Sequence, residues 1–231
     1  MQADLFMKIA LFDLDHTLLP LDSDHAWGEF TTRIGWTDAG DFQRRNDAFY
    51  AQYQAGTLDI HDYVRFATAA TRAAGPQAAA EAQARFMREV IAPAIRPQAR
   101  ALIESHRAAG DQLAIVTATN EFVTRPIAEA LGVPELIAVR LARDAGGWIT
   151  GEIEGTPSFR EGKVVRVGEW LAGRGLGWAN ADMAFYSDSP NDLPLLDKVQ
   201  RPVATNPGPA LRRIAVQRGW PILELFSNPT P

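Results

Sequence analysis

Short apolar runs that end in polar residues recur along the chain, and helical patterns lie between them. Four such runs are Lys8–Phe12, Leu113–Thr117, Met183–Ser187 and Pro202–Thr205, and each has the composition of a buried strand. Helical spacing of apolar residues is found in three of the intervening segments, Gln98–Ala109, Glu121–Leu131 and Glu161–Ala172. Strands that alternate with helices predict parallel βαβ units, and therefore an α/β fold with a doubly wound parallel sheet.

The stretch from residue 22 to 94 differs, because it is rich in alanine and lacks a convincing strand pattern. Its aromatic and aliphatic residues recur at helical spacing, and Gly75-Pro76 is expected to separate two of about four helices. We therefore predict a catalytic core made of residues 1–21 and 95–231, with a small all-helical cap, residues 22–94, inserted after the first strand.

A glycine-containing turn lies between two further strand-like segments in the second half of the chain. Leu136–Leu141 and Trp148–Ile153 flank Asp144-Ala145-Gly146-Gly147, a pattern typical of a β-hairpin. We expect this hairpin to be an antiparallel appendage of the core.

Composition narrows the functional classes. The 231 residues carry a net charge of -5 and no basic block, so a nucleic-acid partner is not indicated. The absence of cysteine excludes disulfides and thiolate chemistry. No apolar run reaches the length of a membrane span and no signal-peptide pattern is present, so we expect a cytoplasmic protein with no membrane partner, either a monomer or a homodimer.

Polar residues follow three of the predicted strands. Asp13 and Asp15 follow the first, Thr117 ends the second, and Asp188, Asn191 and Asp192 follow the third. Carboxyl ends of strands meet at one edge of a doubly wound sheet, where ligands bind. Clustered carboxylates require a compensating cation, and hard oxygen ligands suit Mg²⁺. Lys163, near the start of a helix, would supply a second positive charge. Together, the metal and the lysine would neutralise a phosphoryl group that a carboxylate attacks.

The spacing of Asp13 and Asp15 suggests a division of labour. Residues two apart in an extended segment point to the same side. One carboxylate is then placed to attack phosphorus, while the other donates a proton to the departing alcohol and later accepts one from water. A magnesium-dependent phosphomonoesterase that forms a phosphoaspartate at Asp13 is the predicted enzyme.

Four motifs, in order, resemble those of the haloacid dehalogenase superfamily, and within it the phosphoserine-phosphatase-like branch (subfamily IB). They are Asp13-Leu14-Asp15-His16-Thr17, the strand-ending Thr117, Lys163 at a helix start, and Asp188 with Asp192. The match covers nearly the whole chain. Two departures are His16, where a glycine is common, and Ser187, which replaces the glycine that often opens the fourth motif.

The resemblance implies a role for each residue. Asp13 is the nucleophile, and Asp15 is the general acid and base. Thr117, Lys163 and Asn191 bind the phosphoryl group. The metal is assigned to Asp13, Asp15 through its backbone carbonyl, and Asp188, with Asp192 supporting the metal waters or Lys163.

The same resemblance addresses the substrate, which we expect to be a small phosphorylated metabolite. Asp22 falls where the branch has a cap glutamate that binds a substrate amine, and Arg65 falls near an arginine that binds a carboxylate. A phosphoserine-like amino acid would use both. Histidinol phosphate, an amino alcohol ester, offers an amine and an imidazole to Asp22 and Asp24 and has no carboxylate for Arg65. His16 either contacts substrate or packs.

Other functions on this scaffold are a phosphomutase, a dehalogenase, and a non-catalytic module signalled by phosphorylation of Asp13. Asp15 argues against the dehalogenase, since halide departure needs no proton. An intact Asp15 and a full cap also argue for turnover rather than signalling.

Overall fold

A six-stranded, all-parallel sheet organises the chain, as seen in a computed structural model that describes residues 7–226. The strand order is β3-β2-β1-β6-β7-β8. These strands are β1 (Met7–Phe12), β2 (Gln112–Asn120), β3 (Leu136–Val139), β6 (Ala181–Ser187), β7 (Arg201–Thr205) and β8 (Ile222–Leu223), while β4 (Leu141–Arg143) and β5 (Ile149–Ile153) form a separate antiparallel pair. The predicted α/β class is confirmed.

Helices cover the sheet on both faces because each central strand is apolar on both sides. In β1, Ala10 and Phe12 join one buried cluster and Ile9 and Leu11 join the other, as the two-residue period of a strand requires. The helices outside the insert are α6 (Pro97–Ala108), α7 (Glu121–Ala130), α8 (Glu161–Ala172), α9 (Leu193–Leu196) and α10 (Pro209–Arg218). Buried residues of α6 and α7 lie in the first cluster, and those of α8, α9 and α10 lie in the second.

Five helices fill the chain between β1 and α6. They are α1 (Ser23–Arg33), α2 (Ala39–Ala55), α3 (Ile60–Ala67), α4 (Ala69–Phe86) and the short α5 (Ala92–Ala94), with a π-helical turn at Met87–Ile91. Gly75 has φ 79° and ψ 169° within α4, which confirms the expected break. Trp27 and Phe86 are almost completely buried with Phe12 in the first cluster, so this helical insert packs against the same face of the sheet as α6 and α7.

The hairpin prediction was wrong in its first arm. Leu136–Val139 pairs in parallel with β2 as an edge strand of the main sheet, and the antiparallel pair is formed by Leu141–Arg143 with Ile149–Ile153. Three of the four residues of β3 are buried, which is typical of a parallel strand covered on both faces rather than of a half-exposed hairpin. The turn at Asp144–Gly147 was placed correctly, and Gly147 adopts a left-handed φ of 82° there.

Within residues 7–226, the helices are too short or too polar for any of them to cross a bilayer. The outer ends of the predicted core, at residues 1–6 and 227–231, lie outside the described residues. The division of the chain into core and cap stays a prediction.

Candidate active site

A buried lysine joins two carboxylates at the carboxyl edge of the sheet. Lys163 Nζ donates to Asp13 Oδ1 and to Asp192 Oδ2, each at 2.8 Å. The lysine side chain is only 2% exposed. Burial opposes its charge, yet the carboxylates of Asp13 and Asp192 together raise the pKa of Lys163 above its ordinary value. The lysine is therefore a fixed cation at this edge.

The start of α8 places Lys163 there. Its backbone N–H donates to the carbonyl of Arg160 at 3.0 Å, which opens the first turn of the helix. Gly162 is required in this turn, because a Cβ at that position would lie 2.0 Å from the carbonyl oxygen of Pro157. The tight turn lets the buried lysine side chain bring its ammonium to Asp13, directly after β1.

Asp192 is held from a second side by the residue that departs from the family motif. Ser187 Oγ donates to Asp192 Oδ2 at 2.6 Å, an interaction that a glycine would lack. The charged form of Lys163 is favoured overall by its two carboxylate neighbours. Burial instead raises the pKa of Asp192 to about 6 despite the lysine beside it, which disfavours its charged form. The serine hydroxyl and the lysine both stabilise the ionised form against that burial.

Asp13 and Asp188 approach a common hydroxyl. Thr17 Oγ1 lies 3.2 Å from Asp13 Oδ2 and 3.3 Å from Asp188 Oδ1, and it also accepts the Asp188 N–H at 3.1 Å. Burial, followed by the charges of Asp13 and Asp192, raises the pKa of Asp188 well above its usual range. Excess negative charge on oxygen ligands is the condition that a divalent cation relieves.

These donors fit Mg²⁺. Among the described residues, no three His, Cys, Asp or Glu side chains are grouped to hold a metal. Asp13 and Asp188, which both approach Thr17 Oγ1, are hard oxygen donors, and Mg²⁺ needs only few carboxylates from a protein.

Asp15 occupies a separate environment, where the insert begins. Its Oδ1 accepts the Ser23 N–H at 2.8 Å and its Oδ2 accepts the Thr119 hydroxyl at 2.7 Å. Burial, then the charge of Asp22, raises the pKa of Asp15 well above its ordinary value. The raised pKa favours the protonated form of the Asp15 carboxyl, which is the form able to donate a proton.

Asp24 is a buried carboxylate on the same side as Asp15. It is 6% exposed and accepts the Asn120 amide at 3.1 Å. Burial and then the charge of Asp22 raise the pKa of Asp24 to about 7, while the Tyr63 hydroxyl and Asn120 oppose that shift. Asp22 itself caps α1, since its Oδ1 accepts the N–H groups of Asp24 and His25 at 3.0 and 2.9 Å. Its charge also reaches Asp15, so the structure brings all three carboxylates together.

Two predicted phosphate-binding residues, Thr117 and Asn191, lie next to residues that hold the carboxylates, since Thr119 contacts both Thr117 and Asp15 and Asn191 precedes Asp192. Thr117 is buried in β2 and accepts the Thr119 N–H at 3.1 Å. Asn191, in a 3-10 turn after β6, accepts a hydrogen bond from Arg160 Nε at 3.2 Å. Their contact with phosphate stays a prediction.

Arg65 is not brought into the cluster, contrary to the role considered for it. Its guanidinium donates to Glu152 of β5 at 2.9 Å and to Asp62 at 2.8 Å, and its side chain is 45% exposed. These two carboxylates engage both terminal nitrogens of the guanidinium. His16 is exposed with φ 56°, so it occupies a backbone conformation that favours the glycine usual at this motif position.

Sequence reasoning missed several participants. Thr119, Ser187, Tyr63 and Asn120 contact the carboxylates directly or shift their pKa values. Thr119 had a signal, because it lies two residues beyond Thr117 in the same strand. Tyr63 had none, since only the packing of α3, which lies against β5 and α4, brings its hydroxyl to Asp24.

The parallel sheet and the Asp13–Lys163–Asp192 arrangement at its edge define the class of protein. The family model of the haloacid dehalogenase-like hydrolases matches residues 10–197 of this chain. The chain therefore belongs to this family. The predicted family is confirmed, and so is the prediction of an enzyme.

Relatives refine that assignment. The chain is 42% identical over 217 residues to a histidinol-phosphatase of Neisseria meningitidis serogroup C, covering 94% of this chain and 98% of the relative. It is 51% identical to a solved protein of unknown function from Bordetella pertussis, with a TM-score of 0.89 and coverage of 95% and 99%. A substrate-bound phosphoserine phosphatase matches with a TM-score of 0.64 at 18% identity, over 94% of this chain and 92% of that one, a likeness of fold.

Proposed function

We propose that this enzyme is a phosphatase that hydrolyses a small phosphomonoester through a phosphoaspartate at Asp13. The supporting observation is the unequal treatment of two neighbouring aspartates. Asp13 accepts a hydrogen bond from the buried ammonium of Lys163, whereas Asp15 has no lysine partner and its pKa is raised by burial and by Asp22. An ionised carboxylate serves as nucleophile and a protonated one as acid.

The first step forms a bond between Asp13 and phosphorus and breaks the bond from phosphorus to the ester oxygen. Asp15 gives its proton to that oxygen, so a neutral alcohol leaves. In the second step Asp15 takes a proton from water, which attacks the acyl phosphate and releases inorganic phosphate and Asp13. Ser23 and Thr119 hold the Asp15 carboxyl in place through both steps.

The phosphoryl oxygens are bound by Lys163, Thr117 and Asn191. Asp13, the backbone carbonyl of Asp15 and Asp188 would hold Mg²⁺, with Asp192 supporting its waters and Lys163. When bound, Mg²⁺ supplies positive charge that offsets the negative charge on the phosphoryl oxygens. We assign the division into a core, residues 1–21 and 95–231, and a cap, residues 22–94, to the same proposal. Cap closure would exclude bulk water during phosphoryl transfer.

The substrate is an amino alcohol ester, with histidinol phosphate as the leading candidate. Asp22 and Asp24 place negative charge beside Asp15, where the leaving alcohol lies. Neither Asp15 nor Asp24 has a lysine or arginine among the described groups that govern its pKa. A substrate amine or imidazolium would supply the missing cation. The engagement of Arg65 with Glu152 argues against a carboxylate-bearing ester such as phosphoserine, and the name of the Neisseria relative agrees with this choice. For a phosphomutase or a signalling module we find no supporting observation in the described residues.

A substrate panel tests the proposal. Purified protein with Mg²⁺ should hydrolyse histidinol phosphate with a kcat/KM at least tenfold above that for phosphoserine, sugar phosphates and nucleotides. Chelation should abolish turnover, and acid quenching during turnover should trap a phosphorylated peptide that contains Asp13. Failure to hydrolyse any phosphomonoester would contradict the reaction, whereas equal rates on all esters would contradict only the substrate.

A further inference from the structure

The backbone at Arg160 is strained. Its φ of 51° and ψ of -122° fall in a region that residues other than glycine rarely adopt. Such a conformation persists only where the surroundings impose it. Arg160 immediately precedes α8, and its carbonyl accepts the N–H of Lys163, so the strained residue adjoins the proposed active site.

The guanidinium of Arg160 bridges the helical insert and the catalytic edge. Nη1 donates to the carbonyl of Gly56 at 2.9 Å, and Nε donates to Asn191 Oδ1 at 3.2 Å. Gly56 ends α2 in a left-handed conformation with φ 74°. One side chain therefore contacts the turn after α2 and a residue of the fourth motif, which are 135 positions apart in the sequence.

The Arg160 contact determines which way the Asn191 amide faces. A guanidinium only donates hydrogen bonds, so the atom of Asn191 that faces it must be the oxygen. The amino group is consequently directed to the other side of the amide. That group is the one able to donate to a phosphoryl oxygen.

A second contact with the insert reaches the backbone of the same asparagine. Tyr53 of α2 forms a 2.8 Å hydrogen bond with Ser189 Oγ, and Ser189 Oγ accepts the Asn191 N–H at 3.2 Å. Burial raises the pKa of Tyr53 to about 12, so its hydroxyl stays protonated at neutral pH. Both polar ends of Asn191 are thus held by residues that also contact α2 or the turn after it.

We propose that Arg160 is a positioning residue that makes the orientation of Asn191 depend on the seating of the α2–α3 turn. Tyr53 and Ser189 form the second half of this link. When the turn is seated, the Asn191 amino group is fixed; when it lifts, Arg160 and Ser189 lose their outer partners. The inference rests on the proposed function only for the statement that Asn191 binds phosphate.

Arg160→Gly separates positioning from simple stabilisation. Glycine adopts this backbone conformation without strain, so the melting temperature is expected to stay unchanged or rise although two hydrogen bonds are lost. With p-nitrophenyl phosphate, kcat/KM should fall at least tenfold. Arg160→Lys retains the charge but bridges poorly, and Tyr53→Phe removes the second contact, so both should show intermediate losses. Arg213→Ala, an exposed arginine of α10, is the matched control and should remain within twofold of wild type.

Hydrogen–deuterium exchange supplies a readout independent of turnover. In Arg160→Gly the backbone amides of residues 53–57 and of 189–192 should both exchange at least fivefold faster, with little change elsewhere. Unchanged exchange at either segment would overturn the link. So would a kcat/KM within twofold of wild type, or full activity with a lowered melting temperature. If the wild-type protein hydrolyses no phosphomonoester, the proposed function fails and the exchange experiment alone decides the role of Arg160.

Discussion

The carboxylates at the sheet edge form two groups that differ in whether a lysine pairs with them. Asp13 and Asp192 share the buried ammonium of Lys163, and Asp188 lies beside them on Thr17. On the insert side, Asp15, Asp22 and Asp24 are satisfied by backbone N–H groups, hydroxyls and amides. The first group is paired with a lysine, whereas among the described residues no lysine or arginine forms an ion pair with the second.

The difference indicates what each group is prepared to receive. A site with a lysine and hard oxygen donors suits a phosphoryl group with a divalent metal. A site in which burial raises the pKa values of Asp15 and Asp24, with no lysine or arginine paired to them among the described residues, suits a proton donor and a cationic alcohol. The two ends of the proposed substrate, phosphate and amine, have these complementary charges.

Asp13→Asn is expected to produce the largest effect, because it removes the nucleophile from the lysine-containing group. Turnover should fall by at least roughly 10⁴-fold, as for other nucleophile deletions, while circular dichroism and the melting transition remain close to wild type. Asp182→Asn, at the start of β6 and paired with Arg201, is the control and should retain activity. More than about one per cent residual activity in Asp13→Asn would contradict covalent catalysis at this residue.

Asp15→Asn should produce the next largest effect, because it removes the proton donor. The turnover of an alkyl phosphate should fall by about 10²–10⁴-fold. The loss in phosphoenzyme formation should be much smaller for p-nitrophenyl phosphate, whose leaving group needs no proton. In the wild type, kcat/KM for an alkyl ester should decline as pH rises through the raised pKa of Asp15, and this alkaline limb should disappear in the variant. Rapid-quench measurements across pH test both points, and equal losses on both esters would exclude Asp15 as the acid.

Asp24→Asn should weaken binding while strengthening the fold. KM for histidinol phosphate is expected to rise about tenfold or more, since a charged hydrogen bond contributes about 1.5–3 kcal/mol, whereas KM for p-nitrophenyl phosphate should not change. The pKa of Asp24 in the folded protein is about 7, above its value in the unfolded chain. The folded protein therefore keeps a proton on Asp24 that the unfolded chain loses, and the free energy of unfolding falls as pH rises from about 4 to 7. Asparagine removes that penalty, by roughly 2–4 kcal/mol at pH 8 and by little at pH 4. Urea unfolding at both pH values measures it, and a variant less stable than wild type at pH 8 would refute the assignment.

Arg65→Ala should have the smallest effect. Because its guanidinium is exposed and already bound to Glu152 and Asp62, KM for both histidinol phosphate and phosphoserine should change by less than twofold. Glu152→Ala serves as the matched control. A tenfold rise in KM for phosphoserine alone would restore Arg65 to substrate binding and favour an amino acid ester.

Much of the fold followed from pattern. The apolar residues Ile9–Phe12 are buried on both faces of the sheet, so the strand character of Lys8–Phe12 was readable, whereas its central position was not predicted. Leu136–Val139 was assigned to the wrong partner because short apolar runs next to a glycine turn satisfy either a hairpin or an edge strand. Its continuous burial distinguishes the two, and burial depends on the helices that cover it.

The sequence alone determined the chemical inventory: a doubly wound sheet, Asp13 and Asp15 after its first strand, and Thr117, Lys163, Asp188 and Asp192 in family order. Strand ends in a parallel sheet must converge, which is why Asp13 and Asp188 were predictable neighbours, whereas the place of Lys163 beside Asp13 was implied by the family motifs. Only the tertiary structure decided that Arg65 binds Glu152, that Asp24 is buried beside Asn120 and Tyr63, and that Arg160 links Gly56 to Asn191. These contacts depend on how the insert helices pack against the sheet, and side-chain pairing between separate elements leaves no periodic trace in the chain.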